Sequence, residues 1–264
     1  MSLKLSNASL QKARNLPFCY YCGHQINKNE NHPDHIPPQA IFSKNDRNYP
    51  LKVAAHYKCN NMNSSKDEVI GQLIAIIHGK LPPPKFNRLN VKVFKTPISG
   101  VPHLAIIGAD LAGQIWRWVR AFHAALYTEF LPDNVDKSIH PPLVPAKLEG
   151  GDIVAENVMK QQYLFVKLIK ENRIIDCVDR IISNNGKCLY ECVWVRMDDG
   201  SWGCVFALQI YNWITLADKH FPPRGCVGLY QPNSGIPSMG TKATPLQIPV
   251  MNIEPLNPFE RKEE

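Results

Sequence analysis

The sequence predicts an α+β protein: a small N-terminal module stabilised by zinc, then a domain in which one long helix lies on a mainly antiparallel sheet. Three observations carry that expectation. Residues 17–66 are rich in Cys, His, Asn and Pro and hold few apolar runs, so they cannot close a core by burial alone and need a metal to fold. Residues 110–131 repeat apolar side chains at helical spacing. In the last third, Asp199-Gly200 separates two runs rich in apolar, aromatic and β-branched residues, which signals a hairpin. The module is expected over residues 1–80 and the second domain over residues 85–264, with the proline run Leu81–Phe86 between them.

The elements follow in order. Asp67–Gly79 starts with acids and continues with an apolar pattern, as suits a helix leaving the module. Val91–Phe94 alternates weakly and is expected as a strand. Over Asp110–Leu131, the residues Ile115, Trp118, Val119, Phe122, Leu126 and Phe130 form one apolar stripe, and Pro132 is expected to stop the helix. Trp118 then belongs to the core, and Trp116 to the surface or an interface. The proline-rich stretch Ser138–Pro145 reads as a loop, and Tyr163–Ile169 as a strand. Lys187–Met197 and Ser201–Trp213 are the arms of the hairpin, apolar on both faces and therefore inside a covered sheet. With Asp199-Gly200 as a two-residue turn, Cys204 falls opposite Val195. The tail beyond Phe221 is rich in Pro and Gly and is expected to fray.

Of 264 residues, 44% are hydrophobic and 20% charged, which excludes a chain disordered throughout. The net charge of +7 is mildly basic and by itself raises the prospect of nucleic-acid binding only slightly. The most apolar run, Val69–Ile77, is short and interrupted by Gln72, so no membrane span is expected. The first residues lack the apolar core of a signal peptide, and a cytoplasmic location is expected. In that setting the eight cysteines read as a metal site plus buried thiols. Cys188 and Cys192 share a strand face but stand about 13 Å apart by the usual rise, too far for one ion.

The chemistry concentrates between Cys19 and Lys66. Cys19/Cys22 and His56/Cys59 each set two soft donors two residues apart, and together they make a tetrahedral Cys3His site suited to structural zinc. His24 is the fallback ligand, and His32 is expected at the surface. Between the pairs stands Asp34-His35, whose side chains point to opposite sides of an extended segment. One can hold a metal while the other faces a water. Pro33, Pro37 and Pro38 stiffen the flanks. His78, His103, His123 and His140 have no partner spacing.

The order C-x2-C, D-H-I-x-P, H-x2-C-N and a following Lys resembles the HNH endonucleases, the zinc-knuckle branch of the ββα-metal (His-Me finger) nucleases. DHIPPQAIF and KCNNMNSSKDE are similar to a bacterial group whose motif runs DHIPP, CNN, SKDE. The match covers about the first 70 residues. It implies Asp34 and Asn60 as ligands of a catalytic Mg²⁺ or Mn²⁺ and His35 as the general base acting through Nε2. Asn63 and Lys66, expected on the same helical face as Asn60, are secondary candidates, Asn63 for the metal and Lys66 for a phosphate oxygen. Asn48 and Asn45 compete for the loop asparagine that orients the base. His56 departs from the usual Cys.

The function so implied is hydrolysis of nucleic-acid phosphodiesters, with DNA as the expected partner. By analogy of layout it would serve restriction or anti-phage defence, as a homodimer or with a partner protein. The alternative is a catalytically silent, zinc-stabilised nucleic-acid-binding module using Lys52, Lys58 and Lys66 on phosphates. A third reading makes the module an interaction domain in a larger complex.

Overall fold

The computed structural model describes residues 11–77, 90–95, 102–107, 110–140, 178–197, 199–211 and 226–237. The proline run Leu81–Phe86, the expected strand Tyr163–Ile169 and the C-terminal tail beyond residue 237 lie outside the described residues.

Two short strands, β1 (Asp34–Ile36) and β2 (Leu51–Val53), pair antiparallel, with Asp34 opposite Val53 and Ile36 opposite Leu51. Alternation sends Asp34, Ile36, Leu51 and Val53 inward, while His35 and Lys52 face each other on the half-buried side. Helix α1 (Tyr57–Asn61) follows, then α2 (Ser64–Ile77), which starts ahead of the expected Asp67. The two are separate because the chain turns at Met62–Asn63, where the Asn63 side chain donates to the Cys59 carbonyl (3.1 Å). The single helical face expected for Asn60, Asn63 and Lys66 is thereby broken.

Strands β3 (Asn90–Lys95) and β4 (Pro102–Ile107) form an antiparallel hairpin that contains the expected Val91–Phe94. Helix α3 (Leu111–Tyr127) is capped by Asp110, whose carboxylate accepts from the Gly113 amide (2.9 Å). It ends at Thr128, in the left-handed region at φ 57°, so Pro132 is not the stop. All its residues from Gln114 to Tyr127 are buried. A helix enclosed on every side needs a wall on each. One wall is β1, β2 and α2; the other includes β5 (Asp136–His140) and β6 (Asp179–Ser183) of the main sheet. Trp118 is core as expected, but Trp116 is buried too, its Nε1 donating to Asp133 (2.8 Å) and its ring edge-on to Tyr230. The second wall is what removes it from the surface.

The main sheet continues with β7 (Cys188–Arg196), β8 (Trp202–Ile210) and β9 (Cys226–Gln231), in the order β5-β9-β8-β7-β6 and antiparallel throughout. Three expectations are corrected here. Cys226–Gln231 belong to the tail expected to fray, yet they form β9, held on both edges by β5 and β8. Ser138–His140 are not loop but part of β5, because β9 offers them a partner edge, with Ser138 opposite Leu229 and His140 opposite Val227. The hairpin register is shifted by one: Cys204 faces Trp194, not Val195. Met197 N donates to Ser201 O and Gly200 N to Met197 O, both at 2.9 Å, so the paired ends are Met197 and Ser201 and a three-residue loop joins them, with Gly200 at φ +80°. That is the loop in which a left-handed glycine forms the closing bulge.

One hydrophobic cluster runs from Cys19, Tyr20 and Ile36 through α3 to Tyr190, Phe206 and Tyr230. Phe122 stacks on Tyr190 with ring centroids 4.5 Å apart. Val178, Val193, Val195 and Val205 form a smaller cluster on the other face of the sheet. Cys188, Cys192 and Cys204 are buried free thiols, as expected, and Cys226 is buried as well. Behind α3 a polar chain is closed by Tyr127, whose hydroxyl donates to Asp179 (2.8 Å) and accepts from Trp194 Nε1 (2.9 Å). His123 shares a hydrogen bond with the Tyr230 hydroxyl (2.9 Å) and is held neutral by burial, its pKa pushed down to about 3.

The zinc-type knuckle docks on this frame through Gly23, at φ +79°, where a Cβ would lie 2.8 Å from the Phe130 ring. Gly23→Ala is expected to destabilise the chain by ~1–3 kcal/mol through left-handed strain and the ring contact. A lowered urea midpoint with unchanged zinc content is the result that checks it.

Candidate metal centre and the cleft beside it

Cys19, Cys22, His56 and Cys59 bring one ligand atom each to within 4.8 Å of one another. Local structure explains the convergence. Cys19 N donates to His24 O and Gly23 N to Cys19 O, each at 2.9 Å, which folds the first pair into a tight knuckle. His56 is the N-cap of α1 and Cys59 lies one turn on, so the second pair shares a helix face. His56 Nδ1 stands 3.4 Å from Cys22 Sγ, while Nε2 is 3.3 Å from the Gln25 carbonyl. That arrangement leaves Nδ1 for a metal and has Nε2–H donate outward, as metal-bound imidazoles do. Burial, then the neighbouring Cys19 and Cys22 thiols, push Cys59 up to about 12. A divalent cation relieves that repulsion, so the residues fit a metal such as zinc. The fallback ligand His24 is exposed and outside the cluster. Among the described residues no other group of three or more His, Cys, Asp or Glu side chains converges in this way.

Asp34 is buried. Its Oδ2 accepts from the Tyr20 hydroxyl (2.6 Å) and lies 3.5 Å from Arg117 Nη1. Arg117, from α3, also pairs through Nη2 with Asp67 on α2. One guanidinium thus serves two buried acids. Desolvation prevails: Asp34 is raised, and Asp67 is raised to about 7 by burial, opposed by Arg117 and reinforced by Asp34. His35 lies on the other side of β1, as alternation requires. Its Nε2 is buried without a hydrogen-bond partner, and burial, then Lys52 and Arg14, push it down to about 4. At neutral pH the ring is therefore uncharged.

Asn60 Nδ2 donates to the His32 carbonyl (3.3 Å), which ties α1 to the chain just before β1. Asp34 and Asn60 offer hard oxygen donors of the type Mg²⁺ takes. The Asp34 carboxylate, however, already has Arg117 as its cation, so a second ion there requires that Arg117 release it. Of the loop asparagines, Asn45 accepts at its carbonyl from Asn185 (2.9 Å), and Asn48 is exposed.

Asn63 and Lys66 instead line a cleft of about 460 Å³ between α2, the start of α3 and β5. Its other charged residues are Arg117, Arg120, Lys137, Asp110 and Asp133. Arg120 is fixed by Leu131 O (2.9 Å) and Tyr21 O (2.5 Å). Sequence reasoning passed over Arg117 and Arg120. Their signal was two arginines three apart inside an otherwise apolar helix, an arrangement that requires buried partners.

No helix of the described residues is long and apolar enough to cross a membrane. Set against protein-family models, curated proteins and solved structures, the chain matches none of them.

Proposed function

We propose that the chain is a metal-dependent endonuclease of the HNH kind, acting on nucleic acid and most suitably on DNA. The observation that carries this reading is the Cys3His cluster together with the order strand, strand, helix around it: the cluster clamps the two ends of a segment whose middle is Asp34-His35, and Asn60 sits against the backbone just before that pair. Asp34 and Asn60 would hold a Mg²⁺ or Mn²⁺ ion, which when bound offsets charge developing on the phosphate and on the leaving oxygen. His35, uncharged at neutral pH, takes the proton of the attacking water at Nε2. The orphaned Nε2 marks where that water would be accepted once substrate opens the site. Lys52, opposite His35 across β1–β2, supplies charge for a phosphate.

The wild-type chain is expected to cut plasmid or single-stranded DNA with Mg²⁺ or Mn²⁺, and His35→Ala to cut ~10²–10⁴-fold more slowly at unchanged binding. No cutting by the wild type with either metal, alongside salt-dependent binding by both proteins, would instead establish the silent binding module. One observation favours that second reading: Asp34 is already hydrogen-bonded by Tyr20 and paired with Arg117. A role in restriction or anti-phage defence, with dimer or partner, is carried by analogy alone.

A further inference from the structure

The cleft between α2 and α3 has features that the nuclease reading does not use. Two of its walls are polar side chains taken almost wholly out of water: Gln114 is 3% exposed and Arg117 2%. Neither is fully satisfied. Gln114 Oε1 and Arg117 Nε find no hydrogen-bond partner. Leaving such groups unpaired is costly, which favours a partner that arrives from outside. Their chemistry is complementary: a guanidinium N–H seeks an acceptor, preferably anionic, and an amide oxygen seeks a donor.

The charge at the rim agrees. Lys66 and Lys137 are exposed and line it from α2 and β5, Lys137 Nζ donating to the Asp133 carbonyl above the Trp116 ring. The two acids lining the cleft are already engaged, Asp110 with the Gly113 amide and Asp133 with Trp116 Nε1 and, at 3.7 Å, Arg120. An anion entering between the lysines meets the Arg117 edge at depth. A volume of about 460 Å³ lies in the range of sites that enclose one small ligand.

We infer that this cleft is a binding site for a phosphorylated ligand of mononucleotide size, with Lys66, Lys137 and Arg117 taking the phosphate and Gln114 accepting from a hydroxyl or amino group of the ligand. The phosphate belongs either to a free nucleotide or to the 5′ end of a nucleic-acid strand; both present the same chemistry. None of the groups proposed for cleavage, Asp34, His35 or Asn60, lines it, and it meets them only through Arg117, which pairs with Asp34.

The test uses the full chain carrying His35→Ala, with zinc retained and no added divalent ion, so failure of the nuclease reading leaves it untouched. Calorimetric titrations with AMP, ATP, adenosine, inorganic phosphate and a 5′-phosphorylated oligonucleotide, beside its unphosphorylated twin, provide the arms. Binding of the phosphorylated probes over adenosine is expected. Lys137→Glu and Gln114→Leu should each weaken it ~10-fold or more, by loss of charge and of a buried hydrogen bond respectively. Gln114→Leu removes an orphaned polar atom, so its melting temperature should hold or rise, which separates lost binding from lost fold. Preference for the phosphorylated oligonucleotide over AMP and ATP assigns the phosphate to a nucleic-acid end. Absence of binding by every phosphorylated probe, or binding that both variants leave unchanged, overturns the inference.

Discussion

The purified chain is expected to carry one zinc ion per molecule, and stripping it with a strong chelator should unfold the N-terminal module. The four donors converge from two short segments that have little apolar surface of their own to hold them, and a structural Zn²⁺ contributes an apparent ~10–16 kcal/mol in small modules of this kind. Cys59→Ser should act like the chelator, because it removes one of the four donors. Metal content by elemental analysis and far-UV circular dichroism before and after chelation check this. A chain free of zinc that keeps its full helical signal and melting temperature would show that burial against α3 suffices without a metal. The shared core makes the effect spread: Cys19 and Tyr20 belong to the same cluster as Phe122 and Tyr230, so loss of the knuckle should also loosen α3.

The second large effect concerns Arg117. Arg117→Ala should destabilise the chain by about 3–5 kcal/mol near neutral pH, because Asp34 and Asp67 would stay buried without their cation. The loss should depend on pH, and its sign follows from the carboxyls. Asp67 is raised from the ordinary range to about 7, so the folded chain binds more protons than the unfolded one between those values, and its contribution to stability falls as pH rises through that window. Without Arg117 both acids shift further upward. The variant should therefore approach wild type near pH 5 and fall away from it near pH 8. His123, pushed down to about 3, acts oppositely, losing stability as pH falls below its ordinary value, but equally in both chains, so the difference between them isolates the triad. Urea denaturation of wild type and variant at the two pH values provides the measurement. An equal gap at both would mean that Asp34 and Asp67 do not feel Arg117 as a shared counter-ion.

The metal donors were legible because a spacing of two residues on a knuckle or a helix turn confines two ligands to one side wherever the chain goes. The same holds for the alternation at Asp34-His35 and for the stripe on α3, both set by backbone periodicity. Gly200 showed a hairpin but not its register, since a two-residue and a three-residue loop are both open to Asp-Asp-Gly, and only the pairing of β7 with β8 decides between them. Ser138–His140 gave the opposite lesson. Prolines downstream made them look like loop, yet a free edge on β9 drew them into the sheet.

The candidate site divides along the same line. Composition and spacing alone determined a Cys3His knuckle around an acid–imidazole pair and one long helix, because those are properties of neighbours in the chain. Only the tertiary structure decided that Arg117 reaches Asp67, fifty positions away, that it also stands beside Asp34, and that Lys66 opens on a cleft and not on the Asn60 face. The reason is physical. Whether a charge is buried, paired or orphaned depends on which distant surfaces exclude water together, and no local pattern encodes that.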